Sequence, residues 1–537
     1  MKNDPNVIPA WARWLMPSME DILFLLLLLW LLGSYGPGLM RDADTGTHIL
    51  TGEYILDHQT IPMEDLFSYT NEGQPWIAHS WLSEVFFALM HRWLGLSGVA
   101  LLSAMIISLT FVLLFRFLIQ RDVNFLAAVF LVIMAASASL FFWLARPQIF
   151  TTLMALIWYD CLDRYKRDGK VGRLILLPLL MVLWVNLHGG YLTGFILLLI
   201  FLAGEILNLL FMQSSIEKVQ AKLKIRSFSS ITAACLMAAL VNPYGYEILI
   251  FPFRIMTNSF LQGRITEWLS PSFHALYFAP FELALLLLVV SLGCSLKKIT
   301  ITELGLILFW SHAALYSVRH IPIFAVIVPL VMAPQLAAFS DSIHSPSVPH
   351  RFYRDLSRRL ERLNQVFDRH VLALLIVLSI LGLTIMPKPI GGIERLQVQF
   401  NSMRLPVKAT VFIRDVGLSG NMFNPSEFGG YLIYSLFPDY KVFVDGRVDM
   451  YGESFMKQYA RLEDLKPDWR EVLDRHQVNW IICHTYYKLA TLLSATRDWK
   501  LIYSDETASI FVRDVPENQP LIHRFPNVKL TPRPELD

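Results

Sequence analysis

A string of about 11 apolar stretches, Lys and Arg gathered in alternate loops, and a C-terminal region of soluble composition together predict the architecture. It is a polytopic α-helical membrane protein with an extracytoplasmic α/β domain at its C-terminal end. Of the 537 residues, 54% are hydrophobic and only 17% are charged, below the roughly one quarter usual in soluble domains. The mean hydropathy is +0.46. A helix needs about 20 mostly apolar residues to cross the hydrocarbon core. The stretches lie at 20–38, 98–117, 123–143, 148–162, 174–187, 191–211, 229–249, 277–296, 302–316, 321–339 and 370–387. The first lacks a small-residue cleavage site and reads as a signal anchor.

Charge orients these spans. The segments 1–19, 116–122, 163–173, 212–228, 297–298 and 340–369 hold 21 Lys and Arg, whereas the alternate set holds 6. The positive-inside rule therefore places the first set, and the N-terminus, in the cytoplasm. Residues after 388 then lie outside, and the expected setting is a bacterial inner membrane with a periplasmic C-terminal domain. Within the first outer loop, 39–97, a helix is expected at about 45–56. A second, at 79–95, is expected to lie along the membrane surface. There Trp76, Trp81 and Trp93 suit the interface, while Glu84, His91 and Arg92 would be costly at the bilayer centre. A spanning helix at 79–95 would instead put Arg116 and Arg121 outside.

The division expected is a membrane domain at 1–389 and a soluble α/β domain at 390–537. In the latter, 407–413, 431–436, 441–444, 480–483 and 510–513 read as strands, and 463–475 and 486–496 as helices. The Pro-rich stretch 516–534 reads as a loose tail. A net charge of +2 gives no electrostatic case for nucleic acid. Cys161, Cys235, Cys294 and Cys483 form neither a disulfide framework nor a metal-ligand spacing.

The polar residues that need explaining all fall on the outer side. The first outer loop opens with Arg41-Asp42-Ala43-Asp44 and continues to His48, His79 and Glu84. The third span ends in Arg146-Pro147-Gln148, the fifth in Asn186-Leu187-His188, and the ninth in Arg319-His320. The loop after the seventh carries Arg264 and Glu267. Each has an ordinary explanation: Asp42 or Asp44 as a helix cap, Arg146 snorkelling, Asn186 and His188 closing a helix, Arg319 and His320 at lipid headgroups. Their agreement on one face favours chemistry. Arg146, Arg264 and Arg319, with His188 or His320, suit an anionic phosphate. Asp44 or Asp42 suits a general base acting on a hydroxyl, and His48, His79, Gln148 and Glu267 complete a substrate-binding set. Asp445 and Arg447 are further candidates, although Asp445-Gly446 is also an ordinary turn signal.

An acidic motif just past the first span, surface helices in the same loop, the span count and the terminal outer domain together resemble the GT-C superfamily of membrane glycosyltransferases. That group includes the protein O-mannosyltransferases, the aminoarabinose transferases and the oligosaccharyltransferases. The resemblance covers about 1–390 and makes the expected fold GT-C-like. It implies that Asp44 or Asp42 is the catalytic base. It also implies a polyprenyl-phosphate sugar donor held among membrane lipids, inverting transfer, and a glycan, lipid or protein acceptor. Many members carry a second acid after the third span, where this chain has Arg146-Pro147-Gln148. Members with diphosphate donors bind a divalent metal, and the missing acid counts against one here, with Glu267 the available substitute. The alternatives are a flippase or transporter of lipid-linked sugars, an O-antigen ligase-type protein, and a non-catalytic scaffold.

Overall fold

The computed structural model describes residues 16–294, 297–342, 348–366, 370–385 and 396–532. The first apolar stretch forms α1 (Met19–Leu32), started by a reciprocal capping box. Ser18 Oγ accepts the Asp21 N–H and Asp21 Oδ2 accepts the Ser18 N–H, both at 3.0 Å. The first outer loop holds α2 (Asp44–His58) and α3 (Trp81–Leu94). Most of the other apolar stretches coincide with α4 (Leu96–Ile119), α5 (Phe125–Ser139), α6 (Gln148–Asp168), α7 (Gly172–Leu187), α8 (Leu192–Phe211), α10 (Ala279–Gly293), α11 (Ile301–Tyr316) and α12 (Ile321–Ser342); the stretch expected at 229–249 is instead the end of α9 (Ser215–Ala239), which stops before the Asn242-Pro243 turn. After α13 (Val348–Val366), α14 (Val371–Ile385) takes the last of them.

Among the described residues, five helical segments are long and apolar enough to cross a membrane: Leu96–Ile119, Phe125–Phe142, Gly189–Phe211, Leu276–Gly293 and Val318–Ala338. Gly172–Leu187, Ile301–Tyr316 and Val371–Ile385 are shorter apolar helices. The chain is an integral membrane protein. Because the helices alternate in direction, two sets of helix ends form. One is tied by Arg121, buried and bonded to Asp160 at 3.0 Å and Asp163 at 2.6 Å. The other end gathers 39–44, 144–148, 188–190 and 317–320, and the cavity described below opens there.

Helices α2 and α3 cross so closely that a Cβ on Gly52 would stand 2.0 Å from the Glu84 carbonyl oxygen. The face of α3 carrying Ser83, Glu84, Phe87 and Ala88 is buried while Trp93 is exposed, as an amphipathic helix requires. Trp76 and Trp81 do not behave as interface anchors. Trp76 is buried beneath the Arg447 guanidinium, 4.5 Å from its ring, and Trp81 Nε1 donates to Asn186 Oδ1 at 2.7 Å.

The C-terminal region departs from its sequence reading. Residues 407–413 and 431–436 belong to helices, α15 (Val407–Val416) and α16 (Ser426–Leu436), not strands. In α15 the buried positions are Ala409, Thr410 and Ile413, a helical period that its β-branched residues mask. Residues 441–444 are extended but make only one bridge, Val442 to Ser68. The expected helix at 463–475 is two, Gly452–Glu463 and Trp469–Arg475, separated at Pro467, which cannot continue a helix. The sheet consists of β1 (Asn421–Phe423), β2 (Val478–His484), β3 (Trp499–Ser504) and β4 (Ala508–Arg513), in the order β1-β2-β4-β3. β1 runs parallel to β2, and the other pairs are antiparallel. The stretch from Pro516 is not loose: Leu521, Ile522 and Phe525 pack on the sheet domain, and the Thr531 N–H donates to Ser504 Oγ at 2.9 Å.

This domain is sewn to the first outer loop. The Tyr69 N–H donates to the Val442 carbonyl at 3.1 Å, the Val442 N–H to the Phe67 carbonyl at 3.0 Å, and Thr70 Oγ1 to the Phe443 carbonyl at 2.6 Å. Helices α2 and α16 meet at two glycines. A Cβ on Gly46 would stand 2.4 Å from the Gly430 carbonyl oxygen, and one on Gly430 would stand 2.4 Å from that of Ala43.

Candidate active site

One cavity of about 1950 Å³ lies between the helix ends, the first outer loop and the sheet domain, and all ten candidate side chains line it. At one pole stand the acids. Asp44 opens α2, and its N–H donates to Asp42 Oδ1 at 2.9 Å. Arg146, in the loop between α5 and α6, reaches three carboxylates. Its Nη1 lies 3.0 Å from Asp42 Oδ2 and 2.9 Å from Glu267 Oε1, and its Nη2 lies 3.2 Å from Asp44 Oδ2. Backbone bonds set this loop on the acidic motif. The Ala145 N–H donates to the Leu39 carbonyl at 2.9 Å, and Thr45 Oγ1 donates to the Ala145 carbonyl at 3.0 Å.

Burial lifts the Asp44 carboxyl from its ordinary 3.8 to about 6. The Arg146 charge opposes the shift and neighbouring Asp42 adds to it. A helix N-terminus also favours the carboxylate, but here desolvation outweighs both opposing effects. The result is a carboxylate near neutrality, as a general base requires. One turn along α2, His48 Nδ1 meets Glu84 Oε1 at 2.9 Å. His79 lies beside Phe251 and His188, with ring centroids 5.3 Å and 6.3 Å away. Burial lowers its pKa to about 4, so its ring is neutral.

Donors stand close to these acids. Arg319 sits in the 3-10 turn Val318–His320, its guanidinium 5.6 Å over the Trp268 ring, and it has no carboxylate partner among the described residues. His188 Nδ1 accepts the Gly190 N–H at 3.1 Å and lies 2.8 Å from Thr151 Oγ1. Because Nδ1 accepts, the ring carries its proton on Nε2. Several buried atoms in the wall have no hydrogen-bond partner: His79 Nδ1, Gln148 Nε2, His320 Nδ1, Glu84 Oε2 and Arg146 Nε. Buried polar atoms are normally satisfied, so these have hydrogen-bonding capacity to offer water or a ligand in the cavity.

Other residues singled out in the sequence make bonds that hold the fold, Arg264 and Arg447 while also lining the cavity. Asn186 Nδ2 donates to the Val182 and Val241 carbonyls at 2.7 and 2.9 Å and so closes a helix end. Arg264 pairs with Asp464 at 2.8 Å. Asp445 is fully buried and holds Arg447 at 2.6 Å, and Arg447 in turn holds Asp65 at 2.8 Å. That latch fixes the intervening Gly446, whose backbone abuts the Asp44 carboxylate. Sequence reasoning missed the wall contributed by the sheet domain, including Glu427, Tyr459, Glu463 and Tyr487. Tyr459 Oη donates to Glu463 Oε1 at 2.5 Å, and burial raises the Glu463 carboxyl to about 7. No motif links these residues in the chain; only the fold assembles them.

Among the described residues no group of three or more His, Cys, Asp and Glu is arranged to hold an ion, and a guanidinium stands between Asp42, Asp44 and Glu267.

No protein-family model matches the chain, and no curated protein matches it at a significant level. Three solved structures are similar to it. One is the archaeal oligosaccharyltransferase AglB from Archaeoglobus fulgidus, in complex with an inhibitory peptide and a dolichol-phosphate, at a TM-score of 0.50 and 10% identity. The match covers 87% of this chain and 69% of that one. ArnT from Cupriavidus metallidurans, bound to undecaprenyl phosphate, gives a TM-score of 0.47 and 12% identity over 91% of this chain and 97% of that one. The mycobacterial arabinofuranosyltransferase AftD gives 0.45 and 12% over 93% of this chain and 40% of that one. At such identities the likeness is one of fold alone: this chain has the fold of the archaeal oligosaccharyltransferase.

Proposed function

We propose that the protein transfers a sugar from a polyprenyl-phosphate donor to an acceptor hydroxyl at the extracytoplasmic end of a bundle of about 11 crossings. The single observation that carries this reading is the pair of groups that the cavity collects. It brings a part-buried carboxylate of raised pKa together with a part-buried arginine that has no carboxylate ion pair among the described residues. A dolichol-phosphate accompanies AglB, whose fold this chain shares.

Asp44 takes the proton of the acceptor hydroxyl, whose oxygen forms a bond to the anomeric carbon. The bond from that carbon to the phosphate oxygen breaks, and the phosphate leaves with the electron pair, so the sugar is inverted. Arg319 meets the charge that develops on the phosphate, with Nε2–H of His188 and the side chains of His320 and Gln148 as further donors. His79, which is neutral, and His48, held by Glu84, line the same cavity and would contact the sugar. Asp42 accepts the Asp44 N–H and Arg146 and so positions the base.

The test is release of polyprenyl phosphate from labelled polyprenyl-phosphate sugars by the protein in lipid nanodiscs. Asp44→Asn is expected to lower turnover by about 10²-fold or more, the scale of general-base catalysis, with the unfolding temperature unchanged. Normal turnover in that variant would remove Asp44 from the role of base.

A further inference from the structure

We propose that Arg146 is the resident cation of the acidic pole and that its guanidinium takes the position a divalent ion would need, so the pole binds no such ion. Three carboxylates from two segments, the start of α2 and the turn at 266–268, surround that guanidinium, and carboxylate oxygens are the ligands that hard divalent cations select. The separations are those of a guanidinium instead. Oxygens of Asp42, Asp44 and Glu267 stand 2.9–3.2 Å from Arg146 nitrogens. Magnesium would require oxygens at about 2.0–2.1 Å, and those of a bound calcium would lie about 2.3–2.6 Å away. A planar fork of N–H groups gives Asp42 and Glu267 directed, charge-assisted hydrogen bonds, which a bare ion does not, and it also pairs with Asp44 at 3.2 Å.

The arginine is built into the site. Its side chain is only 20% exposed, and its backbone N–H donates to the Leu144 carbonyl at 2.8 Å. The adjoining Ala145 is tied on both sides, by the Leu39 carbonyl and by Thr45 Oγ1. A surface arginine snorkelling to lipid headgroups has no such anchorage. Glu267 is fixed as well, since Ser317 Oγ donates to its carbonyl at 2.9 Å. Arg146 thus ties the loop after α5, the turn before α10 and the start of α2 around one charge. An exchangeable ion would leave that linkage dependent on ion supply.

The proposal rests on reading this pole as the reacting end of the cavity, but its test reads ion binding and not transfer. Its failure is therefore distinguishable from failure of the transfer reaction. The purified protein in nanodiscs is titrated with MnCl₂, and free Mn²⁺ is followed by electron paramagnetic resonance. Wild type is expected to show no Mn²⁺ site that Asp42→Asn removes. Arg146→Met, which frees the three carboxylates, is expected to gain one Mn²⁺ per chain, and Arg146→Met combined with Asp42→Asn is expected to lose it. Arg146→Lys, which keeps the charge, is expected to bind none. An Asp42-dependent Mn²⁺ site in wild type would overturn the proposal, and that arm needs only the wild-type comparison. Arg146→Met that elutes and unfolds like wild type yet gains no Mn²⁺ would overturn it too.

Discussion

A Cβ placed on Gly446 would stand 2.0 Å from Oδ1 of Asp44. The sheet domain thus reaches the acidic motif with bare backbone, and residues about 400 positions apart share one van der Waals surface. Gly446→Ala must push the Asp44 carboxylate aside or lift the loop that Asp445 and Arg447 hold. We expect turnover to fall while donor affinity holds, measured as kcat against KM for the polyprenyl-phosphate sugar. Unchanged kcat would show that Asp44 is free to move away at no cost.

Gly430→Ala tests the same contact further back. The new Cβ would lie 2.4 Å from the Ala43 carbonyl oxygen, so α2 and α16 must separate. Overpacking of this kind costs about 1–3 kcal/mol. A lowered unfolding temperature is expected, and an unshifted one would mean that the helices slide without strain.

Transfer should depend on pH through Asp44. With the carboxyl raised from 3.8 to about 6, the base is protonated below that value and active above it. The rate is expected to climb as pH rises through about 6 and then level off. The stability effect has the opposite sign. The native state holds this proton more tightly than the unfolded chain, so Asp44 costs stability increasingly as pH rises from 3.8 to about 6. A pH–rate profile flat between 5 and 7, to within about a factor of two, would count against Asp44 as the titrating base.

Arg319→Ala should weaken donor binding by about 2–5 kcal/mol, the cost of removing one partner from a buried charge pair. Binding of polyprenyl phosphate to the protein in detergent, followed by native mass spectrometry, measures it. Unchanged affinity would place the phosphate elsewhere in the cavity.

Orientation is testable by labelling. Ser272 and Glu453 are both exposed on the cavity side of the molecule. Cysteines placed there should react with an impermeant maleimide added outside intact cells. Protection until the membrane is opened would invert the topology. Gly420 is a poorer probe site, because its φ is +80° and a Cβ there would meet the Asn479 side chain at 2.3 Å.

The helices of the membrane part were legible because long apolar runs can satisfy their backbone in a bilayer only as helices. The capping boxes at Ser18 and Thr300 sharpen two of their starts. The α2 and α3 helices were also legible, the second from its one-sided apolar pattern. The sheet domain was not. Gly429 to Ile433 is buried all round between α2 and the sheet, and a continuous apolar run of that length reads equally as strand or helix. β1 has only three residues and is a strand by virtue of pairing with β2.

The sequence by itself determined which helix ends carry Asp42, Asp44, Arg146, His188, Glu267 and Arg319, because alternation and charge sort the loops to two sides. It could not determine distance across that side. Which side chains touch depends on how helices pack and where the sheet domain docks, and neither is encoded locally. Only the tertiary structure decided that Arg146 spends its charge on three carboxylates while Arg319 stacks over Trp268 with no carboxylate ion pair among the described residues. It also decided that Gly446 closes over Asp44, since a glycine leaves no pattern to read until another segment needs the room.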